Sequence, residues 1–281
     1  MFHRLKSLVT TAALAAALCG AAACEGEKAP LAPAATELEA SKPKAQGTSK
    51  LGVDKASSKV EFLMDAPKEK IRGKVHGTTE GEIQVDLADI TKSTGLVTVD
   101  IGGLELFQTV AKDDGTFGDE SKSDKQNEHA RTWLEISPDT PAEQREKNAK
   151  VQFAIRKVEV EGEPSVLKRT GAERKVNIKA TGEFLLHQRK SEKTAELEVT
   201  FRFEGDKLTG ASIKTVKPIA IGLAEHDVHP REAFGKLAQK TLDVLAPKVN
   251  KEALITLDLA AQVAPGGTAP ASAPVPGKPG K

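Results

Sequence analysis

Tyrosine is absent from this chain, tryptophan occurs once, and nine phenylalanines make up the rest of the aromatic content. So few rings argue against stacking platforms for bases or sugars, which need several exposed aromatic faces. Neither sign of charge dominates, with 41 Lys and Arg against 40 Asp and Glu. That balance implies no basic face, so nucleic acid is not an expected partner. The G-x-S-x-G, G-x-x-x-x-G-K-[ST] and H-E-x-x-H motifs are also missing. The chain therefore lacks the signatures of a nucleophile elbow, a nucleotide phosphate loop and a zinc-protease helix. No catalytic residue and no cofactor are expected, and the protein is not read as an enzyme.

Cysteine is nearly absent, and its placement is informative. The two cysteines are Cys19 and Cys24. Residues 1–6 are a short basic start, residues 7–23 are uncharged and rich in Ala and Leu, and Ala21-Ala22-Ala23 leads into Cys24. This order is that of a secretory signal with small residues before the cleavage point. It resembles the lipobox of bacterial lipoproteins, whose cysteine is acylated with chains such as palmitate and becomes the new N-terminus. Ala21 stands where that motif usually has a bulkier residue. Plain secretion and a retained membrane helix are the alternatives, although the apolar run is short and mostly alanine for a bilayer span. With Cys19 removed and Cys24 acylated, no disulfide is available and the core alone must stabilise the fold. Glu25 after the cysteine, by resemblance to Gram-negative sorting, places the anchor at the periplasmic face of the outer membrane.

Composition then divides the chain into a signal peptide at 1–23, a lipid-anchored disordered tether at 24–50, a folded domain at 51–262 and a disordered tail at 263–281. The tether is Ala, Pro, Lys and Glu with few large apolar side chains, and the tail is Pro, Ala and Gly, compositions that bury little.

Period-two alternation, the pattern of half-buried strands, dominates the domain. It runs through Val60, Phe62 and Met64; Ile71, Gly73 and Val75; Ile83, Val85 and Leu87; and Val97, Val99 and Ile101. A charged excursion follows at 112–150. Alternation resumes at Val151, Phe153 and Ile155 and changes phase at Val158 and Val160, which predicts a bulge. Val176 to Leu186, Leu197 to Phe203, Lys207 to Val216, Ile219 to Leu223 and Ile255 to Ala261 complete the set. One segment has helical spacing instead: Phe234, Leu237, Ala238, Thr241, Leu242 and Leu245, bracketed by Pro230 and Pro247. The fold class is all-β: an antiparallel lipocalin-like barrel of about eight (or nine) strands with one short helix before the last strand. Gly73, Ala180 and Gly182 on the inward row either leave space in the lumen or merely relieve strand coiling.

The order of short motifs resembles the YceI-like family. It is carried by Val60-Glu61-Phe62, Gly73-Lys74-Val75, Gly81 to Asp86, Gln126 to Ala130, Lys150 to Phe153 and Thr181 to Gln188. The chain departs from that pattern at Gln126-Asn127, where the family has Arg-Asp, at Gln188, where it has glycine, and in the helix before the last strand. The resemblance implies a barrel holding a long-chain amphiphilic lipid, such as an isoprenoid, in an apolar channel, without catalysis. The expected ligand-lining residues are Phe62, Val75, Ile83, Val85, Val97, Val99, Phe153, Ile178, Phe184, Val199 and Phe201. His129 and Asn127, in the family-like loop, are candidates for a polar mouth, with a purely structural tie as the alternative. His226 and His229 flank Asp227-Val228 and are the candidates if any metal is bound, against the alternative of a surface loop that starts a helix. His187 is read as an exposed strand residue. The expected partners are an amphiphilic lipid and, through the Cys24 anchor, a membrane; an oligomer is neither required nor excluded. The competing readings are a structural or interaction lipoprotein of the envelope, which predicts a filled lumen, and a metal-dependent enzyme.

Overall fold

The structure is a computed structural model and describes residues 30–45, 47–66, 69–230 and 252–264. The Cys24 signal, the segment expected as a helix at 233–246 and most of the expected tail lie outside the described residues. Among the described residues there are thirteen strands: β1 Ser49–Val53, β2 Lys59–Ala66, β3 Glu69–His76, β4 Thr79–Val85, β5 Thr94–Asp100, β6 Glu105–Val110, β7 Ser121–Lys122, β8 Lys150–Val160, β9 Glu173–Leu186, β10 Arg189–Glu204, β11 Lys207–Thr215, β12 Ile219–Gly222 and β13 Glu252–Val263. Two α-helices, α1 Asp124–Trp133 and α2 Ala142–Ala149, occupy the stretch that sequence reading left as a charged excursion.

The sheet closes on itself. Eight strands pair in the cyclic order β1-β4-β5-β8-β9-β10-β11-β13, and β13 returns to β1 through Leu51↔Val263. All these pairings are antiparallel. Closure removes the exposed edges that an open sheet of this size would carry. The expected barrel is therefore present. It has an addition that the alternation did not reveal. The first half of β13 pairs β2 on one side and β12 on the other, so a wing of β2-β3-β6-β7 continues the wall beyond the ring. Strands β1, β6 and β7 escaped sequence reading because they are short and interrupted by Gly, Lys and Gln. The predicted bulge is found as a register shift between Ile155 and Lys157.

The glycines settle their open question. A Cβ on Gly182 would lie 2.1 Å from the Ala154 carbonyl oxygen, and one on Gly73 would lie 2.1 Å from the Phe62 ring. Gly182 permits close approach of two backbones beside the bulge, and Gly73 makes room for the cross-strand phenylalanine. Ala180 is wholly buried. The role is thus strand packing rather than the opening of lumen space.

Residues 30–45, expected as part of a disordered tether, lie against the outside of the barrel. Ala32 N donates to Glu225 O at 2.8 Å, Ala35 N to Gln188 O at 2.9 Å, and Lys190 N to Pro33 O at 2.9 Å. Leu38, 4% exposed, packs on Ala154 and Leu185, and its N–H donates to Gln152 Oε1 at 2.7 Å. The reason lies in the strands. Phe184-Leu185-Leu186 is buried at three successive positions, so one of them faces outward and needs a cover. The strap supplies it with a single leucine and pairs its own backbone polar groups along the way.

Candidate functional site

The inward rows of the strands enclose a cavity of about 210 Å³. All eleven apolar residues expected to face the lumen do line it. The four phenylalanines Phe62, Phe153, Phe184 and Phe201 stand in its wall and leave it open. Trp133 and Leu134 from the end of α1, and Ile221 and Leu223 from β12 and the turn after it, complete the lining. A void in an apolar core costs roughly 24 cal/mol per Å³, so one of this volume costs on the order of 5 kcal/mol relative to a filled core. That is a large share of a domain's net stability.

The two ends of the cavity differ. At the lower end, Leu87, Val166, Val176, Phe203 and Leu208 are all buried to 4% exposure or less and pack below the cavity without lining it. The Arg174 guanidinium lies 3.8 Å from the Phe203 ring centre and covers this plug. At the upper end the lining reaches Lys193, Val228, Pro230 and Ala253.

Lys193 is the unexpected member. On β10 the inward row reads Ser191, Lys193, Ala195, Leu197, Val199 and Phe201, as the alternating burial shows. Its Nζ donates to Glu225 in a short ion pair. The other polar residues of the wall are committed elsewhere. Glu61 pairs with Arg72 at 3.0 Å, Gln152 reaches Thr98 and Leu38, and Ser93 Oγ accepts from Asp86 N at 3.2 Å. Glu225 and His226 sit side by side in the 3₁₀ turn Ala224–His226.

His226 is completely buried. Its Nδ1 faces Leu186 O at 3.2 Å and Arg189 O at 3.0 Å, so Nδ1 carries the proton and donates. Nε2 is then the acceptor for Ser191 Oγ at 3.1 Å. Its ring meets Phe184 edge-on at 5.5 Å. Burial pushes the imidazole below its ordinary value, although Glu225, 3.3 Å from Nε2, acts in the opposite direction. His229 pairs with Asp227 at 3.1 Å. The two histidines named as metal candidates thus have different partners, and among the described residues no group of three or more His, Cys, Asp or Glu side chains could hold a metal.

Asn127 does not reach the mouth. Its side chain accepts from Leu106 N at 2.9 Å and donates to Ser123 O at 2.8 Å, tying α1 to β6. His129 packs against Trp133 with ring centres 5.9 Å apart. His187 belongs to the two-residue turn between β9 and β10 rather than to a strand, and its side chain is only 10% exposed. It bonds His226 O at 3.1 Å and approaches Glu135 at 3.4 Å. Four described residues other than glycine have positive φ: Glu135, His187, Gln188 and Asp227. All four lie at the upper end, linked by the His187 contacts, by the Gln188–Asn148–Glu135 hydrogen bonds and by Arg189–Asp227. Each has a local reason: His187 and Gln188 are the two central residues of the tight β9–β10 turn, Asp227 caps the 3₁₀ turn, and Glu135 ends α1.

Neither a family model nor a curated protein matches the chain. Two solved structures are similar in outline. BcnA of Burkholderia cenocepacia shares 15% identity, with 75% of this chain and 99% of that one covered, at a TM-score of 0.45. A polyisoprenoid binding domain from Saccharophagus degradans, implicated in plant cell wall breakdown, shares 12% identity over 76% and 98% of the two chains at a TM-score of 0.46. The assignment of a closed antiparallel barrel rests on the strand pairing itself.

Proposed function

We propose that the protein is a non-catalytic, lipid-anchored envelope protein that binds the apolar chain of an amphiphilic, isoprenoid-like lipid in the barrel lumen. The observation that carries this reading is the continuous apolar cavity, plugged at one end and reaching polar groups at the other. Each methylene moved from water into such a lumen contributes about 0.8 kcal/mol, and occupancy offsets the cost of the void. A structural lipoprotein using the barrel only as scaffold predicts a filled interior.

Acylation of Cys24 would give the anchor, at the periplasmic face of the outer membrane. The docked strap shortens the leash that composition suggested. From Cys24 to Ala32, where the backbone is pinned to Glu225, even a fully extended chain spans at most about 28 Å. The upper end of the barrel would thus stay near the bilayer, close to a supply of lipid. Native mass spectrometry of protein purified from bacteria tests the binding: the expected species is the protein with one amphiphile. Bare protein that also refuses added long-chain alcohols would refute it. Metabolic labelling with palmitate tests the anchor; label in wild type and none in Cys24→Ala is expected.

A further inference from the structure

We infer that Lys193, with Glu225, Ser191 and His226 behind it, forms a head-group site for an uncharged hydrogen-bonding group such as a hydroxyl, an amide or a quinone-type carbonyl. The inference rests on the lumen reading above and specifies its polar end. Lys193 is the charged side chain that stands on an inward row in the cavity wall. An ammonium has three donors, and Glu225 takes one of them. A neutral oxygen arriving from the lumen can accept another without disturbing the ion pair.

Charge balance sets the class of ligand. Lys193 is neutralised by Glu225, and Arg189 faces Asp227 at 3.7 Å. His226 is fully buried, and burial disfavours a charge on it. A phosphate or carboxylate would either share the ammonium with Glu225, two anions on one cation in a poorly hydrated setting, or displace Glu225 and leave that carboxylate unpaired. A neutral head group meets no such conflict.

The single tryptophan, Trp133, lines the cavity and reports on occupancy. Three probes share one chain: farnesene without a head group, farnesol with a hydroxyl, and farnesyl phosphate with a charge. Titrations followed by Trp133 fluorescence should show farnesol binding at least tenfold tighter than farnesene and tighter than farnesyl phosphate. In Lys193→Met, farnesol should bind no tighter than farnesene does to the same variant. The charge-neutral pair Lys193→Met/Glu225→Gln serves the same purpose if the single variant does not fold. Equal binding of farnesol and farnesene in wild type, or farnesol affinity unmoved by either variant, would overturn the head-group site while leaving the lumen reading intact. Tightest binding of farnesyl phosphate would overturn the neutral class. Failure of all three probes, farnesene included, would overturn the lumen reading and this site with it.

Discussion

At the lower end of the barrel, Phe203, Leu208, Val176, Leu87 and Val166 interlock beneath an arginine. At the upper end the same strands part around a void, with a lysine on β10 and a buried histidine in the 3₁₀ turn beside it. Burial that could stabilise the fold is used fully at one end and withheld at the other. A fold of this kind can afford an empty upper lumen because closure of the ring and the plug below it hold the strands in place. The contrast separates residues that maintain the barrel from residues that shape what enters it.

The largest expected effect breaks the plug. Phe203→Ala should destabilise the protein by about 3–5 kcal/mol in denaturant unfolding, because it removes a buried ring and uncovers Arg174. Chain affinity measured where the variant is folded should change little. Ala195→Phe, in the upper wall, should do the reverse. It fills the lumen, lowers chain affinity more than tenfold, and costs about 1–3 kcal/mol through crowding.

The strap comes next. Leu38→Ala should cost about 2 kcal/mol and speed hydrogen exchange at Ala35 and Leu38, whose N–H groups bond Gln188 O and Gln152 Oε1. The barrel itself should stay folded.

A smaller effect is the response to pH. Burial depresses the His226 pKa, so the unfolded chain takes up a proton at higher pH than the folded one. The contribution is complete above about 6.5, the ordinary imidazole value. It falls as pH drops through that value toward the lower folded one, with a slope of at most about 1.4 kcal/mol per pH unit. The charged side chains that act on it are Glu225, which favours the protonated form, and Lys193, which opposes it. Thermal melts of His226→Gln should lack this step. The smallest effect belongs to the outer wall: Lys175→Ala removes an exposed pair with Glu198 and should change stability by less than about 0.5 kcal/mol.

Much of this contrast was legible in the sequence. Strict alternation marked the long strands and the apolar rows of the lumen, and the phase change marked the bulge. Lys193 was hidden because Glu192-Lys193-Thr194 reads as part of a solvated face, and only ring closure turns Lys193 inward. The partner Glu225 comes from a 3₁₀ turn far along the chain, a contact that periodicity cannot express. The strap was hidden by its composition, yet Phe184-Leu185-Leu186 carried its signal. Three apolar residues in succession put one on the outer face, and that face had to be covered. Helices α1 and α2 bury little beyond Asn127, Ala130, Asn148 and Ala149, too few apolar positions to stand out in a charged stretch.

The most direct test of a plugged apolar lumen with a polar end is a crystal structure with a long-chain alcohol carrying bromine on its terminal carbon. The account predicts a bromine anomalous peak deep in the barrel, among Leu51, Ile155 and Phe201, with the hydroxyl beside Lys193. A bromine peak on the outer surface, or an empty lumen at saturating alcohol, would contradict it.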